Sequence, residues 1–145
     1  EILVESKPQE FDQIVSLSAK ESPKLDRVFI GDGGYIMKPN RFILASTIEM
    51  FNLPNDISCE FKLKSSVARA GLNNMLAVWV DPGFNNSRLT LELKNDLEHH
   101  SLLLNSGMKI GQMVFYRCHP VPMDRSYAVI GRYNNSMTTT ASQGV

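Results

Sequence analysis

Three segments within the 29 positions from Lys64 to Glu92 bring together a pair of serine hydroxyls, a guanidinium four residues after the first of them, and two carboxylates: Lys64-Ser65-Ser66-Val67-Ala68-Arg69, then Val80-Asp81-Pro82-Gly83-Phe84, then Leu89-Thr90-Leu91-Glu92. Hydroxyls beside a cation suit a phosphorylated ligand, and a carboxylate near them suits proton transfer at that ligand. If Ser65 caps a short helix, its hydroxyl and the free N–H groups of the first turn form an anion site. Arg69, four residues on, then shares a helical face with Ser65. The same spacing also fits an ordinary cap whose arginine pairs with a surface carboxylate. Glu92 is open in the same way: a glutamate on the polar face of a strand is commonly just solvated, yet sheets disfavour Glu. Sequestered near an arginine, it would titrate in a range useful for moving protons. Asp81 before Pro-Gly is also good turn chemistry whatever the function.

The elements that must hold these residues read as short strands. Turn clusters such as Gly31-Asp32-Gly33-Gly34, Pro54-Asn55-Asp56, Asp81-Pro82-Gly83 and Asn85-Asn86-Ser87 punctuate apolar runs at Val28–Ile30, Tyr35–Met37, Phe42–Leu44, Leu76–Val80, Leu102–Leu104 and Met113–Tyr116. Regular punctuation of this kind indicates an all-β sandwich or barrel rather than alternating strand and helix. In Cys59 to Lys64, Phe61 and Leu63 share one face and Lys62 and Lys64 the other; from Leu89 to Lys94 the leucines oppose Thr90, Glu92 and Lys94. Two short helices are expected. One covers Phe11–Lys20, with apolar residues at 11, 14, 15 and 17; the other starts at Ser65 and stops at Gly71.

With 145 residues and 43% hydrophobic composition, the chain suits a single domain with its own core. Fifteen basic residues balance fifteen acidic ones, so no global field gathers nucleic acid or an anionic membrane, and any phosphate binding is local. No apolar run approaches the roughly 18 residues of a membrane span, and the chain reads as soluble and cytoplasmic. The two cysteines, Cys59 and Cys118, read as buried, inert small hydrophobes. No zinc is expected, because the His-x-Glu and Pro-Cys-x-x-Cys pattern of zinc deaminases is absent and neighbouring His99 and His100 would face opposite ways in a strand. Residues 134–145 are polar and core-poor and read as a mobile tail.

Several segments, in order, resemble the dCTP deaminase branch of the trimeric dUTPase superfamily: Phe42–Glu49, Leu53–Asp56, Lys64–Leu72, Ala77–Phe84, Leu89–Leu93 and Gly107–Gln112. The likeness covers roughly residues 33 to 133. It implies a distorted β-barrel or jelly-roll-like subunit and a homotrimer with active sites at subunit interfaces. It also implies hydrolytic deamination of dCTP to dUTP and ammonia, without a metal at the base and with Mg2+ riding on the triphosphate. Alternatives within the same resemblance are dUTP diphosphatase or bifunctional activity making dUMP, and an inactive nucleotide-binding relative.

Carried onto this chain, the resemblance makes Glu92 the general acid and base, with Ser65 and Arg69 orienting water and base. Lys64, Ser65 and Ser66 fall at the phosphate-binding start of the motif. Asp81 receives the sugar 3′-hydroxyl, Ala77 belongs to the substrate-binding stretch, and the backbone of Thr90 and Leu91 lies against the pyrimidine. Gln112, Tyr127 and Arg132 align with triphosphate contacts. Between Asp81 and Glu92 the chain carries one residue more than the family pattern, assigned to the Asn85–Arg88 turn. After Arg132-Tyr133 it has Asn134-Asn135-Ser136 in place of a glutamine-rich closing segment. The family's usual N-terminal element is not visible before residue 30, and Val78 stands where bifunctional members often have Gly.

Overall fold

Alternation decides the sheets. In Ser87–Asn95 (β8) Leu91 and Leu93 are buried while Thr90, Glu92 and Lys94 on the other face are only half-buried, as the pattern predicts. The computed structural model describes residues 1–8, 13–77 and 79–144, and its regular structure is mostly strand. The remaining strands are β1 (Ile2–Glu5), β2 (Leu25–Val28), β3 (Tyr35–Met37), β4 (Phe42–Phe51), β5 (Ile57–Leu63), β6 (Leu72–Asn73), β7 (Trp79–Val80), β9 (Leu102–Leu104) and β10 (Gly111–Arg117). Two short helices, α1 (Ser65–Arg69) and α2 (Tyr127–Ile130), complete the set with a 3-10 turn at Met123–Arg125. None of the described helices is long and apolar enough to cross a membrane.

The strands form a five-stranded sheet in the order β2-β1-β4-β8-β6, a three-stranded sheet β10-β5-β7 and the pair β3-β9. Among the described residues these ladders do not close into one barrel, so the all-β class holds while the barrel stays open. Ile2, Met37, Ile43, Phe61, Leu72, Leu91, Leu93 and Leu104 make the main core between the sheets. A second cluster of Phe51, Cys59, Val80 and Phe84 joins the three-stranded sheet to α2 through Tyr127. Cys59 is fully buried, and burial pushes its thiol up to about 11. Cys118 is half-buried rather than buried.

Several local expectations give way. Residues 13–20 form no helix: Leu17–Lys20 is a turn, and Ile14 and Leu17 are 88% and 62% exposed. Among the described residues their apolar stripe has nothing to pack on, and an isolated short helix is marginal in water; Phe11 lies outside the described residues. The expected strand at Leu76–Val80 shrinks to Trp79–Val80. Met75 and Leu76 take left-handed backbone (φ 54° and 59°), with the Met75 N–H donating to Asn73 Oδ1 at 2.8 Å, so the asparagine turn runs on at the strand's expense. Val78 lies outside the described residues. Val28 ends β2, leaving Phe29 76% exposed. β1 had no sequence signal because four residues are too few for a period, yet it is the ladder between β2 and β4.

Candidate active site

Antiparallel pairing of β4 with β8 sets Leu44 opposite Glu92 and Ser46 opposite Thr90, so Phe42 and Leu44 share a face with the glutamate. The ladder breaks between Ser46 and Met50, where Arg88 donates from one guanidinium nitrogen to the carbonyls of Thr47 (3.0 Å) and Ile48 (2.9 Å). Arg88, expected in a turn, therefore belongs to the strand. The turn expected to carry the additional residue ends before β8 at Asn86, whose φ is 45°.

From the other side comes the Asp81-Pro82-Gly83 turn that follows β7. Gly83 has φ 87°, and a Cβ there would lie 2.1 Å from Ser126 Oγ, so only glycine fits. The fully buried Ser126 hydroxyl donates to Asn55 Oδ1 at 2.6 Å and accepts from the Ala128 N–H at 3.3 Å, which starts α2. The Tyr127 N–H donates to the Pro82 carbonyl at 3.2 Å. The aspartate turn is thereby locked to α2. Trp79, two residues before Asp81, donates its indole N–H to Asp81 Oδ1 at 3.0 Å.

These elements enclose a cavity of about 500 Å³. Glu92, Asp81, Thr90, Tyr127 and Tyr133 are among its polar groups; Phe42, Leu44, Ala77 and Phe84 supply apolar wall. Burial raises the Glu92 carboxyl above its usual range, opposed by a hydrogen bond from its own backbone. The Tyr127 phenol is pushed up, chiefly by burial and further by the Asp81 charge, so it stays a neutral hydrogen-bonding group. Such a cleft can seat a planar ring and a sugar, with one carboxyl poised to give and take protons.

The polar tail expected to be mobile is seated along this cleft. Ser136 donates its N–H to Ser87 Oγ (3.1 Å) and accepts from the Arg88 N–H (2.8 Å), and Thr140 donates its N–H to Thr90 Oγ1 (3.2 Å). Thr139 is buried and bonds the Glu1 backbone carbonyl at 3.2 Å. Ser136, Thr140 and Ser142 all line the cavity.

Of the residues singled out from the sequence, Glu92, Asp81, Thr90, Ala77 and Tyr127 converge on this cavity and the others do not. Leu91 points its side chain to the opposite face of β8, is 7% exposed and does not line this cavity. Ser65, Ser66 and Arg69 stand exposed on α1, outside the cavity. Ser65 is the first helical residue rather than the cap. Lys64 occupies the cap position, in extended backbone (φ −65°, ψ 138°), and no side chain caps the helix. The β5 extension dictates this, because the Lys64 N–H is still tied to the Ile110 carbonyl at 2.9 Å. Gly71 at φ 94° does stop the helix as expected. Lys64 lines a second cavity, of about 520 Å³, together with Leu91 and Leu93, the reverse face of the strand that carries Glu92. Gln112 is exposed on β10 opposite Lys62, and Arg132 donates to the Gly144 carbonyl at 2.5 Å.

Sequence reasoning missed Trp79 and the tail contacts. Trp79 had a usable signal, since i and i+2 in a strand share a face; Ser136 and Thr140 had none. Among the described residues no three His, Cys, Asp or Glu side chains converge as a metal ligand set.

Residues 2–118 match the family described as dCTP deaminase-like. The dCTP deaminase, dUMP-forming, of Beutenbergia cavernae is 37% identical over 131 residues, spanning 86% of this chain and 67% of its own length. The enzyme of the same name from Clavibacter michiganensis is 36% identical over 131 residues and covered to 64%; that of Acidothermus cellulolyticus is 42% identical over 102 residues and covered to 52%. The chain thus spans about half to two thirds of these relatives. The crystal structure of 2′-deoxycytidine 5′-triphosphate deaminase from Agrobacterium tumefaciens superposes on 69% of this chain and 29% of that one, with TM-score 0.54 and 22% identity, a likeness of fold.

Proposed function

Because the chain belongs to the dCTP deaminase-like family, we propose that it deaminates dCTP by hydrolysis and carries the product on to dUMP. The observation that carries this reading is Glu92, held above its ordinary carboxylate range by burial in a cleft that also presents Asp81. The names of the relatives favour dUMP over the dUTP expected from the sequence as the end product.

In this mechanism the Glu92 carboxylate takes a proton from water as the water oxygen attacks C4 of the pyrimidine. That proton passes to N3; Glu92 then moves the remaining proton of the new C4 hydroxyl to the amine, and the C4–N bond breaks to release ammonia as the C4 carbonyl forms. A raised pKa keeps the protonated form populated enough to serve as acid after serving as base. Asp81 accepts the hydrogen bond of the 3′-hydroxyl, the backbone of Thr90 and Leu91 borders the ring, and Ala77 packs beside it. Formation of dUMP needs a second water, attacking at phosphorus and releasing pyrophosphate.

Within the cavity Arg88 is the only cationic side chain among the described residues, and it already serves two carbonyls. Triphosphate charge and water orientation must come from elsewhere. Lys64, Ser65, Ser66 and Arg69, exposed on α1, supply them to the cleft of a neighbouring copy in a homotrimer, with Gln112 and Arg132 as further phosphate contacts. Tyr127 bridges sugar and phosphates within the cleft. In this reading Mg2+ enters on the substrate's phosphates. A cytoplasmic location belongs to the same reading.

Incubation with dCTP, dUTP and Mg2+, with ammonia assay and chromatography of the nucleotides, tests the proposal. Ammonia and dUMP from wild type, and neither from Glu92→Gln, are expected. Tight binding of dCTP without turnover would instead mark an inactive nucleotide-binding relative.

A further inference from the structure

Asp81 is exposed, and a carboxylate on a turn rotates freely unless something holds it. Here one oxygen is held: the Trp79 indole N–H donates to Oδ1 at 3.0 Å, which leaves Oδ2 free to accept from a ligand. The tryptophan is itself restrained although 57% exposed. Its ring stacks on Tyr116, centroids 5.9 Å apart and planes at 28°. The Tyr116 hydroxyl donates to Glu60 Oε1 at 2.5 Å, and Lys62 Nζ sits 3.0 Å from the other oxygen of Glu60. A run of fixed contacts therefore extends from β5 and β10 to the one carboxylate oxygen at the mouth of the Glu92 cavity, and Trp79 lines that cavity too.

We propose that Trp79 is a positioning residue for substrate selection: it orients the Asp81 carboxylate so that the cleft discriminates nucleotides bearing a 3′-hydroxyl from those lacking one. This rests on the reading of Asp81 as the sugar contact given above. Nothing about burial of the indole alone would select a hydroxyl; the directed N–H does, because a hydrogen bond to a charged acceptor fixes its rotation.

The test is equilibrium dialysis of dCTP and 2′,3′-dideoxy-CTP, each with Mg2+, against the full chain carrying Glu92→Gln so that dCTP is not consumed, with positions 79 and 81 as wild type, as Trp79→Phe, as Asp81→Asn and as the double variant. Phenylalanine keeps a flat aromatic ring for Tyr116 and drops the N–H together with part of the indole's area. Wild type is expected to bind dCTP about tenfold or more tightly than the dideoxy nucleotide, a ratio set by one hydrogen bond to a charged group. Trp79→Phe is expected to lose about three- to tenfold of that preference with dideoxy affinity little changed, and the double variant to be no worse than Asp81→Asn alone. Trp79 is the sole tryptophan, so its fluorescence should also respond more to dCTP than to the dideoxy form. An unchanged preference in Trp79→Phe, an equal weakening of both nucleotides, or additive losses in the double variant overturns the assignment. Absence of ammonia from dCTP overturns the proposed activity and leaves the binding ratio readable; absence of any 3′-hydroxyl preference in wild type overturns the Asp81 and Trp79 roles and leaves the activity intact.

Discussion

Leu44 stands directly across the β4–β8 ladder from Glu92, on the same face, and is 8% exposed. A leucine in that place adds to the burial of the carboxyl, and burial raises its pKa.

Replacing Leu44 by Asn puts a hydrogen-bonding amide beside the carboxylate. The expected result is a lower Glu92 pKa, read as a shift of the acid limb of the pH–rate profile toward lower pH. A limb that stays in place would show that Leu44 does not set the titration.

The same burial has a stability consequence whose sign is opposite to that of a salt-bridged carboxylate. With the folded pKa raised, the native state holds the proton longer than the unfolded chain. Stability is then greatest below the unfolded pKa and falls as pH rises through the folded one. Glu92→Gln, which cannot ionise, should melt higher than wild type at pH 7.5 and match it near pH 4 in thermal scans, while activity falls by at least about a hundredfold. Equal melting at both pH values would contradict the burial argument.

Arg69 and Glu92 do not share a cavity within one chain, so the proposed site between copies predicts that variants at the two positions complement each other. Arg69→Ala and Glu92→Gln are each expected to be inactive alone. Mixed, after reversible dissociation, they should regain a measurable part of wild-type turnover, since some sites then draw both intact residues from different copies. No recovery in mixtures shown by native mass spectrometry to be hetero-oligomers would refute a shared site.

Gly83→Ala should destabilise the protein by about 1–3 kcal/mol in urea unfolding, because the new Cβ meets Ser126 Oγ in a left-handed backbone. Combining it with Ser126→Gly relieves the contact and leaves the backbone strain, so recovery should be partial. Full stability in Gly83→Ala would mean the turn is not locked to α2.

How much was legible follows from the range of each interaction. The faces of β8 and β5, the glycine stop at Gly71 and the turn at Asp81 were readable because period-two alternation and turn chemistry are local. The expected helix did not form over residues 13–20 for the converse reason: its periodicity was local, but among the described residues no partner surface covers Ile14 and Leu17. Ser65 lost its capping role to Lys64 because a strand hydrogen bond to Ile110 extends the backbone one residue further.

The sequence by itself determined an all-β chain whose Glu92 lies on the face opposite the leucines, and its ordered motifs pointed to the family. Only the tertiary structure decided who meets Glu92. Pairing of β4 with β8 brought Leu44 to it, and the lock between Gly83 and Ser126 delivered Asp81 from a different sheet. The hydrogen bonds of Ser136 and Thr140 laid a polar tail along the cleft across about 50 residues of chain. Contacts of that separation leave no periodic trace, because each depends on where two distant segments are carried by the packing of everything between them.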